Sequence, residues 1–265
     1  MISALYKLGM KSLWKMVLIF AAVLCMYIVV VIWMFDPELG AAILEFEKAM
    51  PGLMAMFGME TTGTTLLSFI SSYLYGMIML VMPMIFTIIA ANRLIARFVD
   101  RGAMAWLLAA PHKRSSVAFT QAAVLLICIV TLIVFAACLG AACSAAMFPG
   151  ELDIGPFLRL NLGCLFLQIF IGGWCFLCSC IFNETRKSLL WAAGLPVLEY
   201  IVQMLANMGG KLEGLKYATF FSLFDPRALA EKASGAVWPP VILLAAGLIM
   251  FAASICVFNK KDMCV

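Results

Sequence analysis

The chain has 265 residues, of which 65% are hydrophobic and 12% charged, and its formal net charge is +4. The mean hydropathy is +1.08. A typical soluble domain is about half apolar and about a quarter charged, and a soluble fold of this size could not withdraw so much apolar surface from water. The composition therefore excludes an ordinary soluble protein and predicts an all-α integral membrane protein.

The excess positive charge does not indicate a nucleic-acid partner. No basic stripe with interleaved aromatic residues occurs in a soluble segment, so we expect no nucleic-acid binding. The charged residues are instead grouped between long uncharged runs, where Lys and Arg set the orientation of membrane helices.

Six apolar runs are long enough to cross a bilayer, which takes roughly 20 residues. No linker or second domain interrupts them, so residues 1–265 are predicted to form one transmembrane domain. Pro83 is expected to kink the second run. The predicted spans are about 13–35, 66–92, 116–147, 157–182, 188–208 and 239–258.

The residues before the first span predict a separate surface element. Lys7, Lys11 and Lys15 recur every four residues and so share one helix face, while apolar residues occupy the others. This pattern predicts a short amphipathic helix that lies at the membrane interface before the first span.

Six spans place both termini on one side of the membrane, and the basic residues indicate which side. The terminal segments and the second and fourth connections hold twelve Lys and Arg residues, whereas the opposite side holds six. Because short cytoplasmic loops carry the excess of Lys and Arg, we predict a multi-pass membrane protein with both termini in the cytoplasm.

The sequence offers little for catalysis or metal binding. It has no G-x-x-x-x-G-K-[ST] loop for ATP, and its only histidine, His112, lies in a connection. Cys175, Cys178 and Cys180 include a C-x-x-C spacing, but they lie in an apolar run without a second Cys pair or His nearby. We therefore expect neither an enzyme nor a metal site, and we interpret these cysteines as packing residues.

The connection between the second and third spans, residues 92–114, has an unusual composition. Arg93, Arg97 and Arg101 repeat every four residues and are followed by a short apolar helix, 103–110, which Pro111 ends. Two interpretations stay open on physical grounds. The apolar helix is either a docking surface for another protein or an interfacial helix anchored in the headgroups by Trp106.

This connection resembles the coupling helix of type-2 (G-type, type V) ATP-binding-cassette exporter permeases. The resemblance rests on Asp100-Arg101-Gly102-Ala103, then Leu107-Leu108-Ala109-Ala110-Pro111, then Arg114. Glu and Thr are more usual in that family at the positions of Asp100 and Ala103. The segments 183–187, 221–225 and 258–262 are also similar to the family, so the resemblance covers nearly the whole chain.

The resemblance implies a partner and a mechanism. Permeases of this family pair as homodimers or with a related permease, along a seam that involves the first and fifth spans, and each docks a separate ATPase subunit that holds ATP and Mg²⁺. No cofactor is expected on this chain, and the membrane is expected to be a bacterial plasma membrane. The resemblance assigns coupling geometry to Asp100, Arg101, Gly102 and Pro111, an apolar plug to Met104, Trp106, Leu107 and Leu108, and a second contact to Glu184 and Arg186.

A polar stripe marks the fifth span. Glu199, Gln203 and Asn207 are spaced by four residues and so share one face of the helix. An acid within a span is costly and faces the bundle or a cavity. Two interpretations stay open: the stripe lines a translocation path, or it holds neighbouring helices together by hydrogen bonds.

The sequence therefore predicts the permease subunit of an ATP-driven exporter. The nineteen Met residues and nearly uncharged spans favour a hydrophobic or amphipathic cargo, and amphipathic peptides, toxic or antimicrobial, fit the similarity in size and layout to phenol-soluble-modulin exporters. Lipids and drugs are alternative cargoes. A secondary transporter, a channel and a membrane scaffold are the alternative functions.

Overall fold

The computed structural model describes residues 2–35, 51–58, 65–96, 113–231 and 235–260. Within these ranges the chain is helical and contains no β-strand, and six helices are long and apolar enough to cross a membrane. The predicted all-α, multi-pass membrane fold is thereby confirmed. The long helices are α1 (Ser3–Trp33), α2 (Leu66–Leu94), α3 (Arg114–Met147), α4 (Ile154–Ile181), α5 (Thr185–Asn207) and α6 (Trp238–Lys260).

Successive long helices run in opposite directions. The start of α1 meets the start of α3, where the Ile2 amide donates to Thr120 Oγ1 at 3.0 Å. Their opposite ends also meet: the ring centres of Phe35 and Phe148 lie 5.2 Å apart. We call the side that holds Ser3 and Lys260 the terminal side, and the side that holds residues 34–35, 51–58, 148–153, 208–231 and 235–237 the far side.

Helix α1 is longer than a bilayer crossing. Two exposed tryptophans, Trp14 and Trp33, lie on it 19 residues apart, which is about 28 Å along an α-helix and matches a hydrocarbon core of about 30 Å. Since Trp is enriched at membrane interfaces, the membrane-crossing part of α1 begins near Trp14. The residues before it extend beyond the hydrocarbon on the terminal side.

The N-terminal amphipathic stretch is helical, as predicted, but it continues α1 without a break and packs against protein. Leu5, Gly9 and Leu13 are buried, while the three lysines are exposed. A Cβ on Gly9 would lie 3.2 Å from Gln121 Oε1 and from Val124 Cγ2, so the glycine allows α3 to approach closely. The apolar face therefore covers α3 rather than lying on lipid, which differs from the predicted interfacial position.

Helix α2 contains a π-helical turn, Leu74–Ile78, before Pro83. Proline has no amide hydrogen, so the Met79 carbonyl four residues earlier loses its helical donor. Side chains of α4 replace that donor: Gln168 Nε2 lies 3.4 Å from the Met79 oxygen and 3.0 Å from the Leu80 oxygen, and Cys164 Sγ lies 3.4 Å from the Met79 oxygen. The irregular part of α2 is thus held in place by α4.

Helix α4 lies in the centre of the bundle and crosses α6 at two glycines. A Cβ on Gly173 would come within 2.6 Å of the Gly247 oxygen, and a Cβ on Gly247 would lie 2.9 Å from the Phe170 backbone. Only glycine fits at such a backbone contact, and small residues commonly mark close helix pairs in membranes.

The connection between α5 and α6 folds back onto the bundle. It forms the 3₁₀ turns Gly210–Ala218 and Phe220–Leu223 and the short helix Pro226–Ala230. Asp225 begins this helix by accepting hydrogen bonds from the amides of Arg227 and Ala228. Phe221, Phe224 and Leu229 are buried, so this connection is part of the packed structure.

Candidate functional site

Most residues predicted to dock an ATPase lie outside the described residues. They are Asp100, Arg101, Gly102, Met104, Trp106, Leu107, Leu108 and Pro111. Glu184 and Arg186 are described and are exposed at the start of α5. The Glu184 carboxylate accepts from Lys187 Nζ at 2.7 Å, and such an exposed pair contributes little to stability. Both side chains are therefore available on the terminal side.

The α2 end of the connection between α2 and α3 is bonded to α5. Asn92, in the last turn of α2, is buried, and its Nδ2 donates to the Thr185 carbonyl at 3.1 Å. Residue 185 is the first of α5. The helix that leads into the connection is therefore linked directly to the helix that carries the polar stripe.

The structure divides the polar stripe of α5 between two environments. Glu199 shares a helix face with three buried residues, Ser188, Ala192 and Ala206. At 100° per residue, the four side chains lie within about 40° of one another around the helix axis. One carboxylate oxygen of Glu199, Oε2, is buried and has no hydrogen-bond partner among the described residues. Glu199 therefore faces the bundle rather than the exposed side of α5.

Gln203 and Asn207 lie nearer the far side and bond to each other. Gln203 Nε2 donates to Asn207 Oδ1 at 2.9 Å. Gln203 Oε1 accepts from the Thr219 hydroxyl, and Thr219 is buried in the connection that follows α5. These bonds join the last two turns of α5 to the folded far-side connection.

Gln203 and Asn207 also line a cavity of about 290 Å³ on the far side. Its walls come from the segment 51–58, from α2 at its π-helical turn, from α5 and from the connection 216–227. Glu199 is not part of this lining. The polar and charged residues of the lining are Ser71, Tyr200, Gln203, Asn207, Lys216, Ser222, Asp225 and Arg227.

The described lining residues give the cavity polar and apolar walls and carry more positive than negative charge. Lys216 and Arg227 bring two positive charges and Asp225 one negative charge. The Asp225 carboxylate already accepts two backbone amides, at 3.0 and 3.2 Å. The hydroxyl oxygen of Tyr200 is buried without a hydrogen-bond partner among the described residues. The cavity can therefore bind a ligand through charge and hydrogen bonds beside an apolar surface.

The described residues give no sign of metal chemistry. Across residues 2–35, 51–58, 65–96, 113–231 and 235–260 no group of three His, Cys, Asp or Glu side chains could hold a metal ion. Cys175, Cys178 and Cys180 are buried free thiols of α4, and Cys175 Sγ donates to the Ala192 carbonyl at 3.5 Å. Their position between α4 and α5 agrees with the packing role that we expected.

The residues that close this cavity could not be recognised as a site from the sequence. Tyr200, Lys216, Asp225 and Arg227 lie in two elements that only the folded connection brings together. The available signal was weak: the pair Phe220-Phe221 and the helix start Asp225-Pro226 are unexpected in a loop exposed to solvent.

Comparison with known proteins adds no family to these observations. No protein-family model matches the chain, and a search of curated proteins also finds no match. Its function is therefore argued from its own residues and geometry.

Proposed function

We propose that the chain is the permease subunit of an ATP-driven exporter and that a separate subunit binds and hydrolyses ATP. The observation that carries the proposal is the motif at 100–114, with its acid-Arg-Gly start, its Leu107-Leu108 pair and Pro111. It lies between the second and third of six spans, where the coupling helix of the resembled family lies. The terminal side would accordingly be the cytoplasmic side of a bacterial plasma membrane.

The anchoring of this connection supports a coupling role. It leaves α2 after Leu94 and reaches α3 at Arg114, and Asn92 ties the end of α2 to Thr185. A displacement of the connection would therefore be passed to α2, α3 and α5 together. Closure of docked ATPase subunits would move these helices as rigid bodies.

Helix α5 would carry that movement across the membrane. It runs without interruption from Thr185 to Asn207, about 33 Å at 1.5 Å per residue. Its far end holds Gln203 and Asn207 in the cavity. A shift at the terminal side would thus change the cavity that the polar stripe lines.

The proposed complex contains two permease copies, either identical or related. Helices α1 and α5 leave most of their apolar surface uncovered, since only 22% of the most apolar window of each is buried. Membrane lipid or a second permease copy would cover these faces. A hydrophobic or amphipathic cargo, with amphipathic peptides first and lipids or drugs as alternatives, suits the uncharged helix surfaces.

A pair of substitutions in the apolar plug tests the docking. Leu107→Asp with Leu108→Asp should abolish co-purification of the ATPase subunit, because two charges in an apolar groove would lack partners. Membrane insertion should be unchanged. Leu107→Met with Leu108→Met is the matched control and should retain the ATPase. Normal co-purification of the Asp variant would contradict the assignment.

A secondary transporter is the second candidate, and Glu199 is the observation that favours it. One carboxylate oxygen of Glu199 is buried without a partner among the described residues, and an acid inside a span is typical of proton or ion pathways. The two candidates differ in energy source. Purified chain alone in liposomes would move cargo with an imposed proton gradient if it were a secondary transporter, whereas an exporter subunit would need the ATPase and ATP.

A further inference from the structure

One end of the far-side cavity lies beside side chains that are typical of the headgroup region. Three aromatic side chains on this side are strongly exposed: Trp33, Tyr217 and Trp238 have 71%, 84% and 72% of their surface accessible. Trp and Tyr concentrate where the hydrocarbon meets the headgroups. Lys216, which lines the cavity, precedes Tyr217, and its Nζ lies 5.3 Å from the centre of that ring. The end of the cavity at Lys216 is thus level with the interface, and its lining extends inward to Leu80, midway along α2.

The cavity also adjoins a face of α5 that is exposed to lipid. Tyr200, Met204 and Asn207 line the cavity, whereas Val197, Ile201 and Met208 are exposed. At 100° per residue the two sets occupy neighbouring faces of the same helix, separated by less than about a quarter turn. A molecule with its polar end in the cavity could therefore lay an apolar chain along α5.

The lining has the chemistry that a phosphate group needs. Among the described lining residues, Lys216 and Arg227 are positive, and the one acid, Asp225, accepts hydrogen bonds from two backbone amides. The Tyr200 side chain lines the cavity. Its hydroxyl is buried and has no partner among the described residues, and it would donate to a phosphate oxygen once the contacts that bury it open. An unmade hydrogen bond at a buried group is costly, so a ligand with acceptor oxygens would stabilise this arrangement.

We propose that this cavity binds the phosphate head group of an anionic phospholipid from the far leaflet, with an acyl chain of that lipid on the exposed face of α5. This site is independent of the exporter proposal, because it rests only on the lining, its depth and the adjoining apolar face. A bound lipid would link α5 to the connection 216–227, since both contribute to the cavity.

Lipid titration of the delipidated, purified chain in a neutral detergent tests the proposal. Bound lipid is counted by native mass spectrometry with phosphatidylglycerol and phosphatidylcholine as the two probes. We expect at least about fivefold tighter binding of phosphatidylglycerol, since each cation near a membrane surface contributes a factor of about five. Equal binding of both lipids would overturn the proposal.

Variants locate the binding. Lys216→Ala and Arg227→Ala should each weaken phosphatidylglycerol binding by about five- to tenfold. Arg159→Ala is the matched control, because Arg159 lies near the far-side start of α4 and outside the cavity lining; it should change binding less than about twofold. Equal losses in all three variants would contradict a defined site.

Two further measurements keep the proposal testable if a charge variant fails to fold. Tyr200→Phe removes only the hydroxyl and keeps the edge-to-face contact with Phe221, whose ring lies 5.5 Å away; it should still weaken binding of phosphatidylglycerol. Inorganic phosphate should not displace the lipid at matched concentration. Displacement by phosphate alone would overturn the lipid assignment and indicate a simple anion site.

Discussion

Helices α4 and α5 follow each other in the chain and are both apolar, yet they occupy opposite environments. In the most apolar window of α4, 67% of the residues are buried, compared with 22% in α5. Hydrogen bonds join them at the terminal side: Trp174 Nε1 donates to the Trp191 carbonyl at 3.1 Å, Cys175 Sγ to the Ala192 carbonyl at 3.5 Å, and Ser188 Oγ to Ser179 Oγ at 3.3 Å. One helix is the centre of the bundle and the other lies at its edge.

The polar residues of the two helices differ in the same way. In α4, Asn161 accepts from the Tyr75 hydroxyl at 2.7 Å and Gln168 donates to carbonyls next to the proline of α2. In α5, Glu199 has a buried oxygen without a partner among the described residues, and Gln203 and Asn207 reach a cavity. Both helices therefore have a buried oxygen without a partner among the described residues, Gln168 Oε1 and Glu199 Oε2. The difference is that Asn161 and Gln168 bind the neighbouring helix, whereas Gln203 and Asn207 bond to each other at the wall of a cavity.

Replacing a glycine by alanine should change the stability of the protein in opposite directions in the two helices, and this is the largest difference that we expect. Gly173→Ala in α4 places a Cβ within 2.6 Å of the Gly247 oxygen and should destabilise the bundle by about 1–3 kcal/mol, as overpacking does. Gly194→Ala in α5 meets nothing within 4 Å and should stabilise the helix by about 0.5–1 kcal/mol. Unfolding by SDS in mixed micelles measures both. Equal effects would show that α4 is not more tightly packed than α5.

Replacing either of two buried glutamines by leucine should give a smaller difference in stability. Gln168→Leu removes the donor to the Met79 and Leu80 carbonyls and should cost about 1–2 kcal/mol of stability. Gln121→Leu in α3 is the control, because the Oε1 of this buried glutamine has no partner among the described residues. It should be neutral or stabilising. A larger loss in the control would refute the role of Gln168 as a support for α2.

Glu199→Gln should have the smallest effect on stability and a clear effect on function. The change keeps the size of the side chain and removes its charge, so assembly should change by less than about 0.5 kcal/mol. Cargo transport by the reconstituted complex should fall relative to that of wild type. If dimer yield changes and transport does not, Glu199 only holds helices together.

The sequence predicted the long helices well and their irregularities poorly. Long apolar runs bounded by charge placed α2 at 66–92 and α6 at 239–258, and the structure has Leu66–Leu94 and Trp238–Lys260. Helix length and hydrophobicity are local properties, so they can be obtained from composition. The carbonyls of Met79 and Leu80 next to Pro83 receive donors from α4, which no local pattern reveals.

The candidate site could be predicted only in part for the same reason. Spacing placed Gln203 and Asn207 on one face of α5, and both line the cavity. Residues spaced by four do not lie directly above one another, because each step turns the side chain by about 40° around the helix. Glu199 therefore lies on the buried face, whereas Gln203 and Asn207 are turned toward the cavity. Lys216 and Arg227 line the cavity because of how the connection between α5 and α6 folds, which no local pattern reveals.

The central claim is that this chain works with a separate ATPase, and a pull-down tests it most directly. The tagged chain would be extracted from its native membranes in a mild detergent, and the proteins that accompany it identified. The account predicts a stoichiometric soluble subunit with a phosphate-binding G-x-x-x-x-G-K-[ST] loop, lost when Leu107 and Leu108 are replaced by Asp. A chain that emerges alone, under conditions that keep known membrane complexes intact, would contradict the account.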